Sequence, residues 1–143
     1  MSAKPTVRIA GPSDASALSA LLYAFNGEAL APEELAQRME QARGLETAFL
    51  GELDGVLAGI LVLRTVPTMS GPEDWAEITE LYVQPSGRRR GVGTALVEAA
   101  VEVARDRGCS ELHLLVYPGN TPALSFYETA GFSRDCWDMR RRL

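Results

Sequence analysis

Three arginines and two glycines fall within seven residues at Arg88-Arg89-Arg90-Gly91-Val92-Gly93-Thr94. Just beyond, Val92, Leu96, Ala99, Ala100 and Val103 repeat at helical spacing, so the glycines lie at the start of a helix. Glycine lets the main chain approach a ligand without a Cβ in the way, and the first N–H groups of a helix have no intrahelical acceptor. With the helix dipole and the guanidinium groups added, the turn suits an anion, a diphosphate in particular. It is neither a Walker-type loop nor a dinucleotide fingerprint, because the lysine is missing and position 96 is Leu where a third glycine would stand. Taken alone, the same residues also describe a solvated basic turn that merely starts a helix. Nucleic acid suits them less well, since no aromatic stripe accompanies the arginines and the preceding strand is acidic.

Charge is divided along the chain. The 143 residues carry 14 Lys and Arg against 19 Asp and Glu, a net −5. Residues 51–86 hold −5 and residues 87–143 hold +2, so an anion is wanted at one place and a cation at another. Outside Arg88–Arg90 and Arg140–Arg142 the balance is −11, too few cations for a chain that wraps nucleic acid. An apolar fraction of 46% excludes a disordered tail and suits one domain over residues 1–143. Two cysteines, Cys109 and Cys136, form neither a disulfide framework nor a metal motif, and His113 reads as a surface or sheet-packing residue. No apolar run spans a bilayer and no signal-peptide pattern opens the chain, so the expectation is a cytoplasmic protein with no metal and no membrane partner.

The elements that must position these residues are legible as periodicities. Thr6 to Ala10 alternates as a strand, and Leu18, Leu21, Leu22 and Phe25 mark a first helix ending near Asn26-Gly27. A second helix starts at Pro32 and stops at Gly44. Thr47 to Leu53 and Val56 to Val66 are strands joined by Asp54-Gly55, and Trp75 to Val83 is another. The helix from Gly91 to Arg107, capped by Gly108, leads to a strand over Glu111 to Tyr117. A short helix over Thr121 to Thr129 and a last strand over Phe132 to Leu143 complete the order β-α-α-β-β-β-α-β-α-β, a mixed α/β domain.

Arg88-x-x-Gly91-x-Gly93 matches in full the [Gln/Arg]-x-x-Gly-x-[Gly/Ala] signature of the GNAT superfamily of N-acetyltransferases, which this chain resembles in element order throughout. Arg90-x-x-Gly93-x-Ala95 is a second register, less suitable because it does not leave Thr94-Ala95-Leu96-Val97 to open the helix. Glu80-Leu81-Tyr82-Val83-Gln84-Pro85 resembles the strand that receives the acyl cofactor. Asn120-x-x-Ala123-x-x-Phe126-Tyr127-Glu128-x-x-Gly131-Phe132 is similar to the second signature. Arg89 departs from the family, which frequently has another glycine there, and this puts the loop conformation in question.

The resemblance implies a GNAT-like α/β (α+β) fold with a splayed central sheet, and acetyl transfer from acetyl coenzyme A to an amine. Arg88, Arg89, Arg90, Gly91, Val92, Gly93 and Thr94 would hold the pyrophosphate. Leu81, Tyr82 and Val83 would pair with the pantetheine arm, and a backbone N–H of Val83 or Leu81 would face the thioester carbonyl. Asn120 would bond the pantetheine amides, although locally it is equally a turn or helix cap. An ammonium with a pKa of about 10.4 needs a base; Glu80 fills that role, with Glu77 as competitor on the opposite face if the strand keeps its period of two. Both are otherwise a solvated acidic strand face. Tyr127 would protonate the departing thiolate; without the resemblance it is an aromatic packed beside Phe126. Phe25, Asn26 and Glu28 would line the acceptor site, or simply end a helix. The acceptor expected is a small cationic amine, with a protein N-terminus or lysine, or a silent acyl-coenzyme-binding module, as alternatives. The oligomeric state is left open, a homodimer being one assembly that the resemblance allows.

Overall fold

Asp54 and Gly55 both take positive φ, 51° and 75°, and this turn folds the two long strands onto each other. The structure, a computed structural model, describes residues 3–143. Its elements are β1 (Thr6–Ile9), α1 (Ala15–Asn26), α2 (Pro32–Gln41), β2 (Glu46–Leu53), β3 (Val56–Val66), β4 (Asp74–Val83), α3 (Val92–Asp106), β5 (Cys109–Leu114) and α4 (Thr121–Thr129). The strands form one mixed sheet in the order β1-β2-β3-β4-β5, in which the β1–β2, β2–β3 and β3–β4 pairs are antiparallel. Two compact units are present, one ending at His113 and one covering Leu114–Leu143.

In the first unit each face of the sheet buries a helix stripe. Leu18 and Leu21 of α1 pack with Leu50 and Ile60, and Leu35 and Met39 of α2 join that cluster. On the other face, Val92 and Leu96 at the start of α3 lie against Gly51 and Gly59. A Cβ at Gly59 would fall 2.8 Å from the Tyr82 carbonyl oxygen and 3.1 Å from Val92, so only glycine lets α3 settle this close. The sheet thereby fixes where the basic turn stands, because that turn leads directly into α3.

Pairing between β3 and β4 steps from Val62 opposite Glu80 to Leu63 opposite Ile78, leaving Thr79 as an extra residue whose hydroxyl donates to the Val62 carbonyl at 3.4 Å. This bulge breaks the period of two. Val62 and Arg64 share a face of β3, so their partners Glu80 and Glu77 share a face of β4. The expectation that Glu77 points away from Glu80 is therefore corrected.

Other boundaries also move. The second helix stops at Gln41 rather than Gly44, which has φ of 85° in the turn beyond. The fifth strand begins at Cys109, straight after the left-handed Gly108, and ends at Leu114 rather than Tyr117. The last expected strand is absent: Phe132–Leu143 forms no regular element. A strand needs a neighbour to pair with, and here Ser133 bonds Asp135 and Arg134 bonds Glu128 while Trp137 and Met139 remain 93% exposed. Among the described residues no helix is long and apolar enough to cross a membrane.

Candidate functional site

A short 3-10 turn, Pro85–Gly87, carries the chain from β4 toward α3. Arg88 is extended, and its Nε donates to the Val83 carbonyl at 3.1 Å, folding the loop back on the strand it leaves. Arg89 has φ of 60° and Gly91 has φ of 84°, two left-handed residues around Arg90. The first intrahelical bond runs from the Ala95 N–H to the Gly91 carbonyl at 3.0 Å, so the N–H groups of Val92, Gly93 and Thr94 precede it. Left-handed residues next to a helix start turn successive N–H groups into one concavity, a shape that fits phosphate oxygens. Arg90 lies 4.0 Å from Asp54 at an exposed site, a weak pairing that leaves it able to meet an anion.

The departure at Arg89 thus has a physical content. A side chain in the left-handed region costs about 1–2 kcal/mol, and glycine avoids it at a smaller loss of chain entropy. Arg89→Gly is expected to raise stability by about 0.5–1 kcal/mol, seen as a higher urea midpoint at unchanged slope.

Along β4, Trp75, Glu77, Glu80 and Tyr82 occupy one face, set by their partners Val66, Arg64, Val62 and Ile60. Glu80 is half-buried, and burial pushes its carboxyl pKa up; the side-chain amide of Asn26 draws it down, and Glu46 adds a further upward push. Phe25 stacks on Tyr82 with ring centroids 5.2 Å apart and planes 18° from parallel. The last turn of α1, closed by Gly27 with φ of 77°, is thus joined to β4 through two consecutive residues. Beneath it lies a cavity of about 1120 Å³ to which Asn26, Glu28 and Glu80 all contribute. Glu77 does not line it and stands opposite Arg64, which is bound by Glu46 at 2.8 Å.

The backbone of β4 offers a second feature. Gln84 donates its N–H to Ala58 at 2.8 Å, toward β3. Alternation along an extended strand then turns the N–H groups of Val83 and Leu81 to the opposite edge.

In the second unit, Asn120 caps α4 by accepting the Ala123 N–H at 3.3 Å. Tyr127 meets Phe126 and Phe132 edge-on, at 5.3 and 5.6 Å, and burial pushes its phenol pKa up. Tyr117, not marked by any motif, accepts a hydrogen bond from Arg140 at 3.5 Å, and that bond, with the guanidinium charge, draws its hydroxyl pKa down.

The sequence left the floor of the cavity unrecognised. Leu22, Met39 and Val62 belong to it, and their helical or alternating spacing is that of ordinary core residues. Trp75, tilted against His113 with centroids 4.6 Å apart, joins the row of Glu77 and Glu80 only because of the Thr79 bulge. His113 in turn lies 2.7 Å from the Glu111 carboxylate. Among the described residues no group of three or more His, Cys, Asp or Glu is arranged to hold a metal ion.

Comparison with known proteins agrees with this architecture. A mycothiol acetyltransferase of Thermomonospora curvata is 33% identical over 124 residues, covering 80% of this chain and 40% of that protein. The chain spans between a quarter and two fifths of the length of the first curated relatives it matches. The crystal structure of a Trypanosoma brucei acetyltransferase superposes with a TM-score of 0.84 at 27% identity, over 98% of this chain and 100% of the other. An aminoglycoside N-acetyltransferase crystallised with CoA shares the fold, with a TM-score of 0.84 at 18% identity over 100% of this chain and 97% of that one. Residues 16–132, which contain the glycine turn, β4 and α4, match the pattern of the acetyltransferase (GNAT) family, and the chain belongs to that family.

Proposed function

We propose that this chain transfers the acetyl group of acetyl coenzyme A to a primary amine, a small cationic one, by direct attack within a ternary complex. One juxtaposition supports this function. From one face β4 presents the half-buried Glu80 to a cavity of about 1120 Å³, and at its end the same strand runs into the anion-binding turn.

The N–H groups of Val92, Gly93 and Thr94, with Arg88, Arg89 and Arg90 around Gly91, hold the pyrophosphate. Leu81, Tyr82 and Val83 align the pantetheine arm as an added strand at the C-terminal end of β4, on the side of β4 that faces β5. The N–H of Val83 or Leu81 donates to the thioester oxygen, where negative charge develops. Glu80 accepts a proton from the acceptor ammonium, directly or through water, and the freed nitrogen lone pair attacks the thioester carbon. The carbon–sulfur bond then breaks, the Tyr127 phenol gives its proton to the leaving thiolate, and the second proton of the attacking nitrogen leaves through water, restoring the phenol as the neutral amide forms. Phe25, Asn26 and Glu28 border the acceptor.

The test is a panel of amines with acetyl coenzyme A, followed by thiol release. Turnover is expected with small cationic amines and not with peptides. Thiol release with none of them, from protein that still binds coenzyme A, would overturn the assignment in favour of a silent binding module.

A further inference from the structure

Several of the charged groups that line the acceptor cavity already have partners. Arg64 is bound by Glu46 at 2.8 Å, Arg43 by Glu40 at 2.8 Å, and Arg38 faces Glu34 at 3.7 Å. Arg107 donates to the hydroxyls of Thr47 and Thr65 at 2.8 and 3.2 Å. Among the described residues two lining carboxylates stay outside every ion pair, Glu28 and Glu80, and the Asn26 side chain bonds Glu80. One stretch of the wall is hydrocarbon, set beside Thr47, Thr79 and the charged groups above: Leu22 of α1, Leu35 and Met39 of α2, and Ala48, Ile60 and Val62 of the sheet. None of these apolar side chains offers a donor or an acceptor. A volume of about 1120 Å³ is also far more than an ammonium and its first carbon require.

Resting on the acetyl-transfer function above, we infer that the acceptor is an amphipathic monoamine, its one ammonium placed at Glu80 and its alkyl or aryl body lying along Leu22, Met39 and Val62. A second ammonium or a row of hydroxyls laid on Leu22, Met39 and Val62 would lose hydration, with no donor or acceptor on those three side chains to replace it. A methylene in the same place is favoured, by about a factor of four in affinity.

The test compares kcat/KM for n-propylamine through n-octylamine with that for α,ω-diamines of equal length, using the full chain with acetyl coenzyme A. The monoamine series is expected to climb about three- to fourfold per methylene until the cavity is filled, with each diamine at least about tenfold below its monoamine partner. Met39→Glu, which sets a carboxylate in the apolar stretch at a partly exposed position, is expected to narrow or reverse that ratio while leaving the KM for acetyl coenzyme A unchanged. A flat monoamine series, or a wild-type preference for diamines or polyhydroxylated amines, overturns the inference and leaves acetyl transfer standing. Absence of thiol release with every amine overturns both.

Discussion

Glu80→Gln is expected to lower kcat/KM for amine acetylation by about 100-fold or more, the scale of a lost general base, with little change in acetyl coenzyme A affinity. The wild-type rate should fall as pH drops through the pKa of Glu80, which burial holds above the ordinary carboxyl value, so the acid limb lies higher than for an exposed glutamate. In the variant that limb should vanish. Stability moves the other way. A carboxyl with a raised folded-state pKa favours the fold at low pH, and that contribution is lost as pH rises through the folded-state value. At neutral pH the wild type therefore bears the cost of a half-buried charge, and the neutral glutamine does not. The variant should be the more stable protein at pH 7, and its advantage should shrink on acidification. Urea titrations at several pH values and a pH–rate profile measure both effects. An unchanged profile in the variant would remove Glu80 from the role of base.

Tyr127→Phe keeps the ring against Phe126 and Phe132 and deletes only the phenol proton. It is expected to lower kcat by about 100-fold while the KM for acetyl coenzyme A holds, because the lost interaction belongs to the departing thiolate. Burial raises the phenol pKa, so the proton is retained to higher pH than on an exposed tyrosine, and the alkaline limb of the wild-type profile should lie above the usual value near 10. The raised pKa also means that stability contributed by the neutral phenol is lost as pH climbs through it, a loss the Phe variant escapes. Full activity in Tyr127→Phe would reject the acid role.

Much of the scaffold is local enough to be written in the chain. Gly27 and Gly108 end their helices in the left-handed conformation, and Asp54-Gly55 makes the hairpin, each where residue type alone places it. Phe132–Leu143 shows the limit of such reasoning: alternating residues do not make a strand unless a neighbouring edge accepts its hydrogen bonds.

The candidate site divides along the same line. The glycine turn at the start of α3 was legible in the sequence alone, because two glycines at a helix start expose free N–H groups whatever surrounds them, and three arginines add charge. Tertiary structure decided which carboxylates share a face and which one meets the cavity. Glu77 and Glu80 come to one side of β4 only through the register with β3, where the pairing skips Thr79. The apolar stretch of the same cavity is assembled from Leu22, Met39 and Val62 on three elements. A register and a cavity belong to pairs of elements, and no single stretch of chain contains either of them.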